Sequence, residues 1–70
     1  MSMQQAKEET RAHVERVTGL RADVVHARGC GRWAYLYRAD GSHAKTLLAG
    51  TWEELRAAAD LYAERNGVAK

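Results

Sequence analysis

The 70-residue chain contains no proline and a single cysteine. It also has no apolar run approaching the ~18 residues a membrane-spanning helix requires. One cysteine excludes an intramolecular disulfide, and the cysteine and histidines show no zinc-ligand spacing. No low-complexity run, repeat or linker interrupts the chain, so residues 1–70 read as one small domain. The polar opening MSMQQAKEET lacks the apolar segment of a signal peptide. A lone thiol suits a reducing compartment, so the expected location is cytoplasmic, with no membrane partner. The composition, 46% hydrophobic and 29% charged, excludes disorder. A chain this short buries only ~60% of its unfolded surface. Its stability must therefore come from its aromatics and leucines, with self-association as a further source.

The formal net charge of +2 is too small to indicate nucleic acid by itself, and its distribution says more. Residues 21–45 carry Arg21, Arg28, Arg32, Arg38 and Lys45 against Asp23 and Asp40, a net +3. Residues 51–66 carry Arg56 and Arg65 against Glu53, Glu54, Asp60 and Glu64, a net −2. A basic middle thus precedes an acidic C-terminal segment.

Met3, Ala6, Thr10, Val14 and Val17 recur at spacings of three and four, which predicts a helix over 3–18 that stops at Gly19. Short strands are expected at about 22–28, 32–39 and 42–49. The period-two run RWAYLYRA is the clearest of them, and Asp40-Gly41 is the signal for a type I′ hairpin. Thr51 with Glu54 makes a capping box opening a helix over 52–66. Leu55, Ala58, Ala59 and Tyr62 give that helix an apolar face, and Trp52 and Leu61 widen it. The fold class is therefore α+β: a two-layer α-β-β-β-α arrangement with a three-stranded antiparallel meander, order 1-2-3, packed against helices.

Alternation puts Trp33, Tyr35 and Tyr37 on one face of the central strand and Arg32, Ala34, Leu36 and Arg38 on the other. Burying three aromatics at 150–250 Å² each is worth roughly 11–19 kcal/mol as an upper bound, and Ala34 with Leu36 about a quarter of that. On that ground the aromatics should face the helices. With Asp40-Gly41 as the turn, Trp33 lies opposite Leu48, Tyr35 opposite Thr46 and Tyr37 opposite Ala44. The outer face would pair Arg38 with His43, Leu36 with Lys45, Ala34 with Leu47 and Arg32 with Ala49. The first strand keeps two registers open: a two-residue loop at Gly29-Cys30 turns Val25 outward, and a three-residue loop over 29–31 turns Val24 outward beside Leu36. The alternative for the outer face is that the first helix crosses to cover it.

The expected partner-binding residues are therefore Arg32, Ala34, Leu36, Arg38, His43, Lys45 and Leu47, an apolar centre with a basic rim. No catalytic, cofactor-binding or metal-ligating residue is expected. Cys30 reads as a turn residue, and His13, His26 and His43 lie on different elements. The carboxylates Glu53 and Glu54 complement the second helix's dipole. Were the aromatics turned to solvent instead, they would form a stacking platform for unpaired bases.

Trp33-x-Tyr35-x-Tyr37, the Asp40-Gly41 turn and the capped helix after the third strand give residues 31–66 a resemblance to the AP2-like, arm-binding domains of tyrosine recombinases. That resemblance implies that the residues between the aromatics face DNA; here two of them are Ala34 and Leu36 where basic residues are common. The α-β-β-β-α order also resembles double-stranded-RNA-binding domains, whose basic second-helix start is replaced here by Trp52, Glu53 and Glu54. The functional expectation is a non-enzymatic protein–protein interaction module, a small adaptor or inhibitor of the phage-antagonist type. Its partner would be a protein with an acidic or mixed surface, or a second copy of the chain. The competing expectation is nucleic-acid binding through the same basic sheet face.

Overall fold

A computed structural model describes residues 3–27, 29 and 31–66. Helix α1 (Met3–Thr18) is followed by strands β1 (Arg21–Ala27), β2 (Gly31–Tyr37) and β3 (His43–Ala49), then helix α2 (Trp52–Arg65). The strands form an antiparallel sheet in the order β1-β2-β3. Both helices pack on one face of it, α1 against β1 and α2 against β3 and β2, and the two helices pack on each other.

The helices meet the sheet mainly through aliphatic and small side chains, with Trp52 and Tyr62 of α2 partly buried against the same core. Thr10, Val14 and Thr18 of α1 are buried, as are Leu55, Ala59 and Ala63 of α2. Buried hydroxyls need partners, and both threonines of α1 find them within their own helix. Thr10 Oγ1 donates to the Ala6 carbonyl at 2.8 Å and Thr18 Oγ1 to the Val14 carbonyl at 2.6 Å. Gly19, at φ +72°, then ends α1, its N–H bonding the Glu15 carbonyl. Glu15 also accepts from the Ala22 N–H at 2.9 Å, tying the helix end to the start of β1.

The turn between β2 and β3 differs from the expected type I′. Only Gly41 adopts positive φ (+91°), not Asp40. Arg38 N–H bonds the Ser42 carbonyl and Gly41 N–H bonds the Arg38 carbonyl, both at 2.9 Å. The loop is thus Ala39-Asp40-Gly41, three residues in which only the third needs a glycine-like conformation. The extra loop residue is absorbed in the ladder. Arg32↔Ala49 through Leu36↔Lys45 pair as expected, but Tyr37 then faces His43 rather than Ala44, which becomes a bulge. In the first hairpin Ala27 faces Gly31, placing the connection at residues 28–30, a register that neither expected loop gives. Val24 nevertheless shares a face with Ala34 and Leu36, as the three-residue alternative had it.

Helix α2 is capped as its sequence demands. Thr51 Oγ1 accepts from the Glu54 N–H at 3.0 Å, while the Glu54 carboxylate reaches back one residue further than in the usual box, to the Gly50 N–H. Asn66 is the C-terminal cap; Gly67, which reads in the sequence as the end of this helix, lies outside the described residues.

Asp40 Oδ1 accepts from the Ser42 hydroxyl (2.7 Å) and N–H (2.9 Å). Those bonds, the hydroxyl's first, hold its carboxyl below the usual carboxylate range. A depressed carboxylate pKa contributes stability above the unfolded-state pKa and loses it as pH falls through the folded value. The Tm of Asp40→Ala should therefore lie below that of the wild type at neutral pH and converge with it in acid, as a pair of thermal melts across pH would read.

Candidate functional site

With both helices on one side, the other face of the sheet is open, and it is the aromatic one. Ala34 and Leu36 are 0% exposed and Leu47 5%, packed with Ala22, Val24, Val14, Leu55 and Ala59. Trp33, Tyr35 and Tyr37 are only half-buried, on the face that no element covers. The expected assignment of faces is thus inverted. Val14 of α1 and Leu55 and Ala59 of α2 fill the layer together with Ala22, Val24, Ala34, Leu36 and Leu47, and Trp52 and Tyr62 of α2 pack against it, so three further rings from β2 would have to displace them. Area alone favoured the aromatics, whereas close packing selects side chains by volume. The tyrosine hydroxyls would also need partners inside, which an apolar layer does not supply.

The residues expected to bind a partner accordingly separate. Ala34, Leu36 and Leu47 are core. Arg32 lies on the covered face, its guanidinium 4.6 Å from the centre of the Trp52 ring and donating to the Gly50 carbonyl. His26, beside Arg32 in the ladder, brings its ring within 5.6 Å of Trp52. That cluster closes one end of the core. Arg38 is exposed at the turn, donating to the Ser42 hydroxyl and the His43 carbonyl. Lys45 is exposed on the edge strand β3. His43 alone of the set stands among the aromatics of the open face. The residues between the aromatics, which the arm-binding resemblance would turn toward DNA, thus lie largely beneath the helices. Arg28 and Cys30 lie outside the described residues.

Reading across the strands shows a graded surface. At one end Val25, Trp33 and Leu48 are aligned, with Leu48 73% exposed. Asp23, Tyr35 and Thr46 occupy the middle, and Arg21, Tyr37 and His43 the far end. The rings pack on one another edge to face: Trp33 and Tyr35 centroids are 6.5 Å apart at 80°, and His43 sits 6.3 Å from Tyr35 and 5.9 Å from Tyr37. Arg21 lies over Tyr37 at 5.6 Å, and His43 Nε2 is 2.8 Å from Thr46 Oγ1. Trp33 Nε1 is buried and has no hydrogen-bond partner among the described residues, and nothing in the structure explains it. Arg21 and Asp23 offset one another, so the face carries little net charge.

Among the described residues no group of three or more His, Cys, Asp or Glu is placed to hold a metal ion. His13, the remaining histidine, bridges the helices, with Nε2 2.7 Å from Asp60 Oδ1 and Arg16 at 3.1 Å from Nδ1. No helix is long and apolar enough to cross a membrane.

Sequence reasoning missed Arg21 and Leu48 as surface residues, had Val25 outward only under one loop and on the other face, and misplaced the three aromatics. The signal was present in β1. Arg21 and Asp23 alternate with Ala22 and Val24, and the charged pair shares a face with Tyr37 and Tyr35. Charges seldom face a core, so the β1 alternation names the open side once its register is known.

The two faces should respond oppositely to the same change. Leu36→Asp buries an unpaired carboxylate and should abolish cooperative unfolding, whereas Tyr35→Asp should keep the wild-type circular dichroism spectrum and a cooperative melt. Comparison with protein-family models, with curated proteins and with solved structures finds no match to this chain.

Proposed function

We propose that the chain is a non-enzymatic protein-binding module that docks a partner protein on the open face of its sheet and acts as an adaptor or occluding inhibitor in a reducing compartment. The observation that carries this reading is the uncovered row Trp33-Tyr35-Tyr37, flanked by Val25 and the exposed Leu48. Tryptophan, tyrosine and arginine dominate the energetics of protein interfaces, and Arg21 supplies the third. An apolar end grading into a polar one is the anatomy of an interface with a dry centre and a wet rim.

Two features favour a protein over a nucleic acid on this face. Phosphate recognition needs clustered cations, and here Arg21 is offset by Asp23 while Arg32 lies against Trp52. Base stacking needs free ring faces, and these rings pack edge to face on each other and on His43.

Truncation of a central aromatic should cost about 2 kcal/mol of binding or more. The test uses the wild-type chain and Tyr35→Glu as parallel baits in extracts of the source cell, treated with nuclease. Proteins held by the wild type, lost from the folded variant and insensitive to nuclease are the expected result. Retention that disappears with nuclease, together with steeply salt-dependent gel shifts of single-stranded DNA or RNA, would instead assign the face to nucleic acid.

A further inference from the structure

A second surface lies at the outer edge of the sheet. Among the described residues strand β3 pairs only with β2, leaving its other side an open edge, and between it and α2 runs a groove of about 640 Å³. Leu47, Ala58 and Tyr62 supply apolar lining, and Leu61, 47% exposed, stands at its side. The charged residues along it are Arg38, Lys45 and Arg65, and among the described residues no carboxylate lines it. Lys45 and Arg65 enter no salt bridge among the described residues.

We infer that this groove takes an extended acidic peptide segment of a partner protein, added to β3 as a fourth strand. Strand addition satisfies open backbone groups along an edge and reads alternate side chains in the adjoining groove. Apolar side chains of the peptide would seat against Leu47, Ala58 and Leu61, and its carboxylates would meet Lys45 and Arg65. The Ala44 bulge and Lys45 are devices that keep edges from pairing indiscriminately. They leave residues 46–49 regular and make the edge selective for negative charge. A second copy of the chain is a poorer occupant, since joining two β3 edges would bring the same uncompensated cations together. The site adjoins the aromatic face at Thr46 and Leu48, which also line the groove, and its charged lining is its own.

The probe is a short synthetic peptide alternating valine and glutamate, with a valine–lysine peptide as its counterpart, each titrated into the full chain and followed by amide NMR shifts. The acidic peptide should move the amides of residues 46–49 and 58–65, and the lysine peptide should not. Lys45→Glu combined with Arg65→Glu should weaken binding about tenfold, as expected when exposed ion pairs are lost and reversed. Tyr37→Glu, whose ladder partner His43 does not line the groove, should leave the titration unchanged. Shifts centred on Trp33, Tyr35 and Tyr37, an equal response to both peptides, or no response would overturn the inference.

Discussion

The distance between helices and sheet governs this structure. Thr10, Val14, Ala59 and Ala63 bring the helical backbones close to the strands and to each other, and interiors pack at crystal-like density. That layer takes leucine, valine and alanine from the sheet, while the large rings packed against it, Trp52 and Tyr62, come from α2. The rings of β2 therefore remain on the far side, where they recover part of their burial by packing on one another and on neighbouring strands. The open aromatic face is thus the reverse side of a sheet whose covered face is filled by aliphatic side chains.

Polar links fasten the layer from its edges. Arg56 of α2 donates to the buried Thr10 hydroxyl of α1 at 3.2 Å, and His13 joins Asp60 across the same helix pair. At the opposite end of the sheet from the β2–β3 turn, Trp52 is held between Arg32 and His26. Gly31 lies where that end is tightest: its φ is +83°, and a Cβ there would stand 2.9 Å from the Ala49 carbonyl oxygen. The chain thus places a glycine where two strands approach too closely for a side chain.

Element order, sheet order and most of the β2–β3 register were legible in the sequence, because periodicity and capping are local properties. Thr51 and Glu54 announce α2 without reference to anything distant. Which side of β2 the helices cover was not legible from β2 itself, since both faces of that strand contain side chains able to form a core. That choice rests on the volume left by residues at the far ends of the chain, Val14 and Ala59 among them. The candidate site was misread for the same reason: an inverted face exchanges every residue on a strand for its neighbour.

The position of the helices in the chain has a kinetic consequence. Each hairpin joins neighbouring strands through a short connection and closes with little loss of chain entropy. The contact between α1 and α2, by contrast, unites the first and last elements across the whole meander. Until it forms, Leu36 and its neighbours have only a partial cover. The sheet is assembled locally, but its inner face is sealed by the most distant contact in the sequence, which makes closure of the two ends the natural bottleneck of folding.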